Sequence, residues 1–205
     1  DDLDDRSQRV LAQADPFTIE QVKDLDAKIF HLGSLLHDDF SSEVVEFLAS
    51  KGDISIDVQG YLREVRRQKV YPIDWEEKAK VLRHTRILKM NEHEMSFLTK
   101  QTNVRDAAKA MASYGVKEVV ITLGKNGSVI YAGGQFYEIP AYTPAEQVDS
   151  TGCGDTYCAG YLYCRSQGCG FVESGKYASA MCSLKLEHNG PFDHTEKDVL
   201  ARIRQ

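Results

Sequence analysis

The stretch that decides the fold reads Asp149-Ser150-Thr151-Gly152-Cys153-Gly154-Asp155 and runs directly into Thr156-Tyr157-Cys158-Ala159-Gly160. A glycine-rich turn that opens a helix directs several backbone N–H groups at one point, where the positive end of the helix dipole reinforces them. Such a point binds anions, above all phosphate. Asp155 follows the turn, where its carboxylate can accept a proton from a hydroxyl group. An anion-binding turn beside a general base predicts phosphoryl transfer to an alcohol.

The same turn has a purely structural interpretation. Glycines at the start of a helix often serve only to permit a tight turn. Asp149 before the turn and Asp155 after it favour the functional interpretation. Gly160 lies in mid-helix, where glycine costs about 1 kcal/mol relative to alanine. Its presence therefore predicts close packing or the close approach of a ligand.

The composition excludes several classes of function. The 205 residues are enough for one domain with a sizeable core. With 25 basic and 31 acidic residues, a net charge of −6 argues against nonspecific binding to nucleic acid or anionic membranes. No apolar run approaches the roughly 20 residues that a membrane span needs. The cysteines contain no Cys-x-x-Cys pair, which argues against a cysteine zinc site and favours reduced thiols in a cytoplasmic protein.

Strand-length apolar runs alternate with helix-length amphipathic segments, which predicts a parallel α/β sheet. Strands are expected at 28–33, 54–58, 86–90 and 118–123, with a hairpin over 128–139. Helices are expected at 42–51, 74–84, 92–100, 106–115, 154–167 and 171–187. These elements make residues 18–205 one domain. Residues 1–17 fit this pattern poorly and are expected to be a disordered leader or a strand without partners.

Two further segments carry polar residues at strand ends, and each has two interpretations. Asn91-Glu92-His93-Glu94 follows a predicted strand, and Asn followed three residues later by Glu is also a helix capping box. Spacing alone favours the capping box. Thr122-Leu123-Gly124-Lys125-Asn126-Gly127 follows another strand and can be a simple turn, since Asn-Gly is a common turn pair. No partner arrangement is visible for His31, His37, His84 or His194.

The segment from Asp149 to Asp155 is similar to the signature Asp-Thr-x-Gly-Ala-Gly-Asp of the ribokinase-like, or PfkB, carbohydrate kinase family. Ser150 replaces the usual threonine and Cys153 the usual alanine. The resemblance implies a three-layer α/β/α fold with a mainly parallel sheet. It implies that Asp155 is the catalytic base, and that the N–H groups of Gly152, Cys153 and Gly154 form the anion hole for the phosphoryl group.

Asn91–Glu94 and Thr122–Gly127 resemble two more motifs of this family, and both precede the signature, as they do in the family. The resemblance implies ATP and Mg²⁺ as cofactors, with Glu94 positioning the metal. Asn91, Thr122, Gly124 and Gly127 would contact the nucleotide, and Asn189 in the short match His188-Asn189-Gly190 would lie on the adenine side. Asp149 and Thr151 would lie near the family's monovalent-cation site.

Asp57-Val58-Gln59-Gly60-Tyr61-Leu62-Arg63 resembles the family's Asp-x-Asn-x-Arg segment, with Gln59 in place of Asn and the arginine displaced. An aspartate that caps a strand-to-loop turn explains it equally well. The N-terminal βαβ portion that grips the sugar in this family, and its small lid strands, are not visible. Residues 1–17 are the candidate remnant of a lid strand.

The expected function is thus ATP-dependent phosphorylation of a hydroxyl group on a sugar or related small alcohol, by a protein that forms a homodimer when intact. Two alternatives stay open. One is a non-catalytic nucleotide-binding remnant of a kinase, which the missing N-terminal portion favours. The other is a nucleoside or vitamin kinase on the same scaffold.

Overall fold

The structure is a computed structural model and describes residues 9–205. The expectation for the first eight positions therefore lies outside the described residues. The chain forms two units, one that ends at Val119 and one that runs from Val120 to Gln205. No helix in the described part of the chain is both long and apolar enough to cross a membrane.

The first unit alternates helices and strands. In chain order it contains α1 (Ile19–Val22), β1 (Ile29–Leu32), α2 (Ser42–Ala49), β2 (Asp53–Asp57), a 3₁₀ helix (Gly60–Leu62), β3 (Arg63–Arg66), β4 (Lys69–Pro72), α3 (Lys78–Leu82), β5 (Thr85–Asn91), α4 (Glu92–Thr99) and α5 (Val104–Ala112). Strands β1, β2 and β5 are parallel neighbours in that order. Their carboxyl ends therefore meet at one edge, which places Asp57 and Asn91 on the same side of the sheet.

Buried apolar side chains explain why these segments form strands. Ile54, Ile56, Ile87 and Leu88 are each at most 2% exposed. Parallel strands are covered on both faces and therefore carry apolar residues in nearly continuous runs. The parallel sheet predicted from the alternating pattern is confirmed in this unit.

Strands β3 and β4 form a separate two-stranded antiparallel sheet, which the sequence analysis did not predict. Its turn places Arg67 and Gln68 at positive φ (48° and 65°). Two successive left-handed residues give the turn that best matches the twist of a hairpin, but Asn-Gly or Asp-Gly is the usual sequence there. Arg9 bridges to Lys69 in antiparallel fashion. The start of the described chain thus has a pairing partner.

The predicted helix over 74–84 begins later than expected. Its first residue is Lys78, and Glu77 precedes it as an N-cap that makes no side-chain hydrogen bond. Asp74 Oδ1 instead accepts hydrogen bonds from the Trp75 N–H and from Lys78 Nζ. Trp75 is buried against Tyr61, with ring centroids 4.1 Å apart. This packing fixes the residues before α3 in a turn and overrides the local helical preference.

The second unit contains a hairpin and three helices. Strand β6 (Glu118–Thr122) begins in the first unit and ends in the second, followed by a 3₁₀ turn (Gly124–Asn126), β7 (Ser128–Ala132), β8 (Gln135–Ile139), α6 (Cys153–Ser166), α7 (Phe171–Lys185) and α8 (Glu196–Ile203). The predicted hairpin of β7 and β8 is confirmed. All five cysteines lie in this unit as free thiols.

Helices α6 and α7 pack at close range. A Cβ atom at Gly160 of α6 would lie 3.0 Å from the Cα atom of Ala178 and 2.7 Å from Met181 Sδ. The close packing predicted from this mid-helix glycine is confirmed. Further along, Cys164, Tyr177 and Leu184 form a core cluster with Val199 of α8. The three helices thereby support the turn that precedes α6.

Candidate functional site

In the first unit, a buried ion pair lies where the parallel strands end. Lys89 Nζ of β5 donates to Asp57 Oδ2 of β2 at 2.8 Å. Both residues are about 95% buried, and Asp57 Oδ1 also accepts from the Gln59 N–H at 3.1 Å. A buried charge is tolerated only when it is paired and hydrogen-bonded. Lys89 was not singled out from the sequence, although a lysine inside the apolar run Ile87-Leu88-Lys89-Met90 was a visible signal.

Asn91 and Glu94 form the capping box that their spacing predicted. The Glu94 N–H donates to Asn91 Oδ1 and the Asn91 N–H donates to Glu94 Oε2, both at 2.8 Å. Burial raises the pKa of the Glu94 carboxyl, an effect that Lys89 opposes. The second carboxylate oxygen, Oε1, takes part in no hydrogen bond among the described residues. The cap therefore leaves one oxygen atom of Glu94 for another ligand.

Arg63 and Ser34 lie in the same region of the first unit. Burial lowers the pKa of Arg63, while the charges of Glu94 and Asp57 raise it, so the guanidinium lies within electrostatic reach of both carboxylates. Gly60 approaches Ser34 so closely that a Cβ atom at residue 60 would overlap the hydroxyl and the carbonyl of Ser34. Ser34 Oγ is buried and has no hydrogen-bond partner in residues 9–205. Such an unpaired polar atom marks a place where a ligand can complete the hydrogen bonding.

In the second unit, hydrogen bonds shape the glycine-rich turn. Asp149 Oδ1 accepts from the Thr151 N–H at 2.9 Å and from Thr151 Oγ1 at 2.7 Å. The Cys153 N–H donates to the Ser150 carbonyl at 3.2 Å. Asp149 thus holds the segment in a tight turn before α6 begins.

Gly152 is the N-cap of α6, at a φ of 78°, and it has no side chain that could cap the helix. The Thr156 N–H makes the first helical bond, to the Gly152 carbonyl, at 2.8 Å. The N–H groups of Gly154 and Asp155 have no acceptor among the described residues. Asp155 is exposed in the first helical turn. The turn therefore presents free N–H donors next to an accessible carboxylate.

Thr122 and Gly127 flank the 3₁₀ turn that links β6 to β7. Thr122 is the last residue of β6, and the Leu123 N–H donates to the Gly127 carbonyl at 2.8 Å. The turn interpretation is confirmed, and it leaves the nucleotide interpretation standing because the two are compatible.

The loop after α7 is anchored to the segment that opens the glycine-rich turn. The Val148 N–H donates to the Leu186 carbonyl at 2.7 Å. Lys185 Nζ, which is almost fully buried, donates to the carbonyls of His188 at 3.1 Å and Asp149 at 3.4 Å. Asn189 follows His188 directly in this loop. The structure thus connects the predicted adenine-side loop with Asp149 within one unit.

His194 has a partner, contrary to the sequence analysis. Its Nδ1 atom lies 3.1 Å from Nε2 of His188. His31 contacts Ser55 Oγ at 3.1 Å, and His37 contacts the Arg63 carbonyl at 3.2 Å. The residues of each pair lie in different elements or at separate positions of a loop, so the pattern of neighbouring residues in the sequence did not predict these contacts.

Comparison with known proteins identifies the family. A family model described as pfkB family carbohydrate kinase matches residues 12–198. The cytidine kinase of Thermococcus kodakarensis is 31% identical over 148 residues, which are 70% of this chain and 50% of that protein. The ribokinase of Arabidopsis thaliana is 33% identical over 126 residues, which are 58% of this chain and 33% of that protein. The chain thus spans half the length of the first of these relatives and a third of the second.

Solved structures give the same result. A pyrophosphate-dependent kinase of the ribokinase family, in complex with a pyrophosphate analogue and myo-inositol, superimposes with a TM-score of 0.86 at 27% identity and covers 96% of this chain and 70% of that one. Arabidopsis thaliana ribokinase with ribose and ATP superimposes with a TM-score of 0.72 at 24% identity over 87% of this chain and 56% of that one, a likeness of fold alone. The predicted α/β fold is confirmed, and the chain belongs to the pfkB family of carbohydrate kinases.

Proposed function

We propose that this protein transfers the γ-phosphoryl group of MgATP to a hydroxyl group of a sugar or related small alcohol. One observation carries the proposal: free N–H groups at the start of α6 lie beside the exposed carboxylate of Asp155. The transition state of phosphoryl transfer spreads negative charge over the phosphoryl oxygens, so positioned donors lower its energy. A cytoplasmic location and a homodimer, both expected from the sequence, belong to the same proposal.

Asp155 is the base that accepts the proton of the substrate hydroxyl. Gly152, Cys153 and Gly154 form the anion hole, in which the N–H of Gly154 is a free donor and that of Cys153 also bonds to Ser150. Removing one donor from such a hole costs about 2.7–4 kcal/mol of transition-state stabilisation. The missing side chain at Gly152 is what leaves these N–H groups to a ligand.

Glu94 is the residue that would hold Mg²⁺, through a metal-bound water, while Asn91 contacts the nucleotide phosphates. The residues present fit the ion, because Mg²⁺ prefers a carboxylate together with waters and phosphate oxygens. The capping box uses Oε2 of Glu94 and leaves Oε1 for this contact. When bound, the ion neutralises charge that develops on the phosphoryl oxygens.

The nucleotide lies against Thr122, Gly124 and Gly127 on one side and Asn189 on the other. The connection of the Asn189 loop to Asp149 through Lys185 supports this arrangement. Asp149 and Thr151 offer carboxylate, hydroxyl and carbonyl oxygens, a donor set that suits a monovalent cation. This cation stays a prediction.

Two observations favour variants of the same reaction. The cytidine kinase of Thermococcus kodakarensis and the nucleoside kinase of Methanocaldococcus jannaschii are each 31% identical to the chain where they match, which favours a nucleoside as acceptor. A pyrophosphate-dependent kinase of the ribokinase family superimposes on the chain at 27% identity, which makes pyrophosphate a second candidate donor. The alternative without chemistry is a nucleotide-binding module.

A turnover panel separates these functions. The chain is incubated with MgATP or magnesium pyrophosphate and with ribose, myo-inositol or cytidine, and the phosphorylated product is measured by ³¹P NMR. We expect product from one donor and one acceptor class. Binding of MgATP by calorimetry without any product would establish the nucleotide-binding module instead.

Asp155→Asn tests the catalytic role. The variant is expected to lose at least about a hundredfold in kcat, the lower end of what a general base contributes, and to keep its affinity for MgATP. Asp106→Asn is the matched control, because Asp106 is also an exposed aspartate in the first turn of a helix. A near-normal kcat in Asp155→Asn would contradict the role of Asp155.

A further inference from the structure

Three side chains of the loop between α7 and α8 converge on one point. His188 Nε2 lies 3.1 Å from His194 Nδ1 and 3.2 Å from Asp193 Oδ1, and His194 Nδ1 lies 3.3 Å from the same Asp193 oxygen. The three atoms form a nearly equilateral triangle. None of these residues was assigned a metal-binding role by the sequence.

The size of this triangle matches the coordination of zinc. Zinc binds histidine nitrogen at about 2.0–2.1 Å and carboxylate oxygen at about 2.0–2.2 Å, almost always with tetrahedral geometry in structural sites. Two such ligands at the tetrahedral angle lie about 3.3 Å apart. The observed separations of 3.1–3.3 Å are those of three corners of a tetrahedron around one ion.

The two imidazole rings are held in this arrangement by their surroundings. They stack with centroids 4.8 Å apart and planes inclined by 10°. Phe192 packs against the His194 ring, and buried Lys185 donates to the His188 carbonyl at 3.1 Å. The Asp193 side chain is 75% exposed, so ions in solution can reach its carboxylate.

We propose that His188 Nε2, Asp193 Oδ1 and His194 Nδ1 bind one zinc-class transition metal ion. Two nitrogen donors suit zinc better than magnesium, which takes oxygen ligands. Lys185 connects this loop to the Asp149 carbonyl, so a bound ion restrains the segment that opens the glycine-rich turn. None of the three ligands has a role in the phosphoryl transfer proposed above, so the metal site can be tested independently of that function.

The first test measures metal binding by the untagged chain after chelator treatment. Equilibrium dialysis against Zn²⁺, with the metal quantified by mass spectrometry, is expected to give one tightly bound ion per chain, and dialysis against Mg²⁺ none at this site. Loss of a residue that merely hydrogen-bonds to a metal ligand weakens metal binding about 10–100-fold. His188→Gln and His194→Gln each remove a ligand itself and should therefore weaken zinc binding by at least that factor. His84→Gln is the control, since that histidine lies outside the loop, and should bind like the parent.

The second test identifies the ligand atoms without any substitution. Co²⁺ bound in place of zinc to two nitrogens and one oxygen gives visible d–d bands without the near-ultraviolet charge-transfer band of a thiolate ligand. This matters because the five free thiols of the same unit can also bind zinc. A thiolate band, equal zinc affinity in the parent and both histidine variants, or no zinc binding would each overturn the proposal.

Discussion

At the scale of single residues, the buried ion pair of Asp57 and Lys89 stabilises the edge of the sheet where the parallel strands end. Asp57→Asn removes the carboxylate to which the buried Lys89 ammonium is hydrogen-bonded. We expect the free energy of unfolding to fall by about 3–5 kcal/mol, the usual cost of removing one partner of a buried pair. Urea denaturation measures the change. Lys80→Met is the control, because Lys80 and Glu77 form an exposed ion pair whose loss should change stability little. Equal effects of the two substitutions would contradict the burial argument.

Glu94 predicts a pH dependence of stability. Burial raises its pKa above the ordinary value of 4.5, so the folded protein keeps a proton that the unfolded chain has already lost. The free energy of unfolding therefore falls as the pH rises from about 4.5 through the raised pKa, by about 1.4 kcal/mol for each unit of elevation.

Glu94→Gln cannot ionise and should lack this fall, so it gains stability relative to the parent as the pH rises. Urea denaturation at several pH values between about 4 and 8 measures the difference. Glu92, an exposed glutamate in the same first turn of α4, provides the control variant Glu92→Gln. A parent and a Glu94→Gln variant with parallel pH profiles would show that the carboxyl is not perturbed.

At the scale of elements, Gly160 sets the distance between α6 and α7. Alanine there gains about 1 kcal/mol of helix propensity, but its Cβ meets the Ala178 backbone at 3.0 Å. We expect Gly160→Ala to lose about 1–3 kcal/mol of stability on balance, the usual cost of overpacking, as measured by urea denaturation. Ala159→Gly at the exposed neighbouring position measures propensity alone. A Gly160→Ala variant that is more stable than the parent would show that α6 and α7 can move apart to accommodate the added methyl group, contrary to this prediction.

The elements also show how far the sequence alone could predict this molecule. Strands of the parallel sheet, the β7–β8 hairpin and the turn before α6 were predictable because their signals are local. The β3–β4 sheet was not, because Arg67 and Gln68 adopt left-handed conformations that their residue types do not indicate. In the candidate site, the contact between Asp57 and Lys89 joins positions 32 residues apart. Only the pairing of β2 with β5 brings them together.

At the scale of the whole molecule, nucleotide binding should stabilise the folded chain. A ligand that binds only the folded state at about 100 times its Kd adds about 2.7 kcal/mol. In a protein of this size each kcal/mol corresponds to about 2–4 °C in Tm. Thermal unfolding with MgATP, magnesium pyrophosphate or magnesium alone measures the shift. Asp155→Asn should show the same increase in Tm. A folded chain whose Tm rises with neither MgATP nor magnesium pyrophosphate would contradict phosphate binding at the glycine-rich turn.

Tryptophan and cysteine are distributed along the chain so that each residue type reports on one of the two units. Its single tryptophan, Trp75, is stacked on Tyr61 in the first unit, whereas every thiol lies in the second. Indole fluorescence therefore follows the opening of one unit, and the reactivity of buried thiols such as Cys158 and Cys164 follows the other. The order in which the two units unfold can therefore be followed in the natural chain with a thiol reagent and no engineered probe.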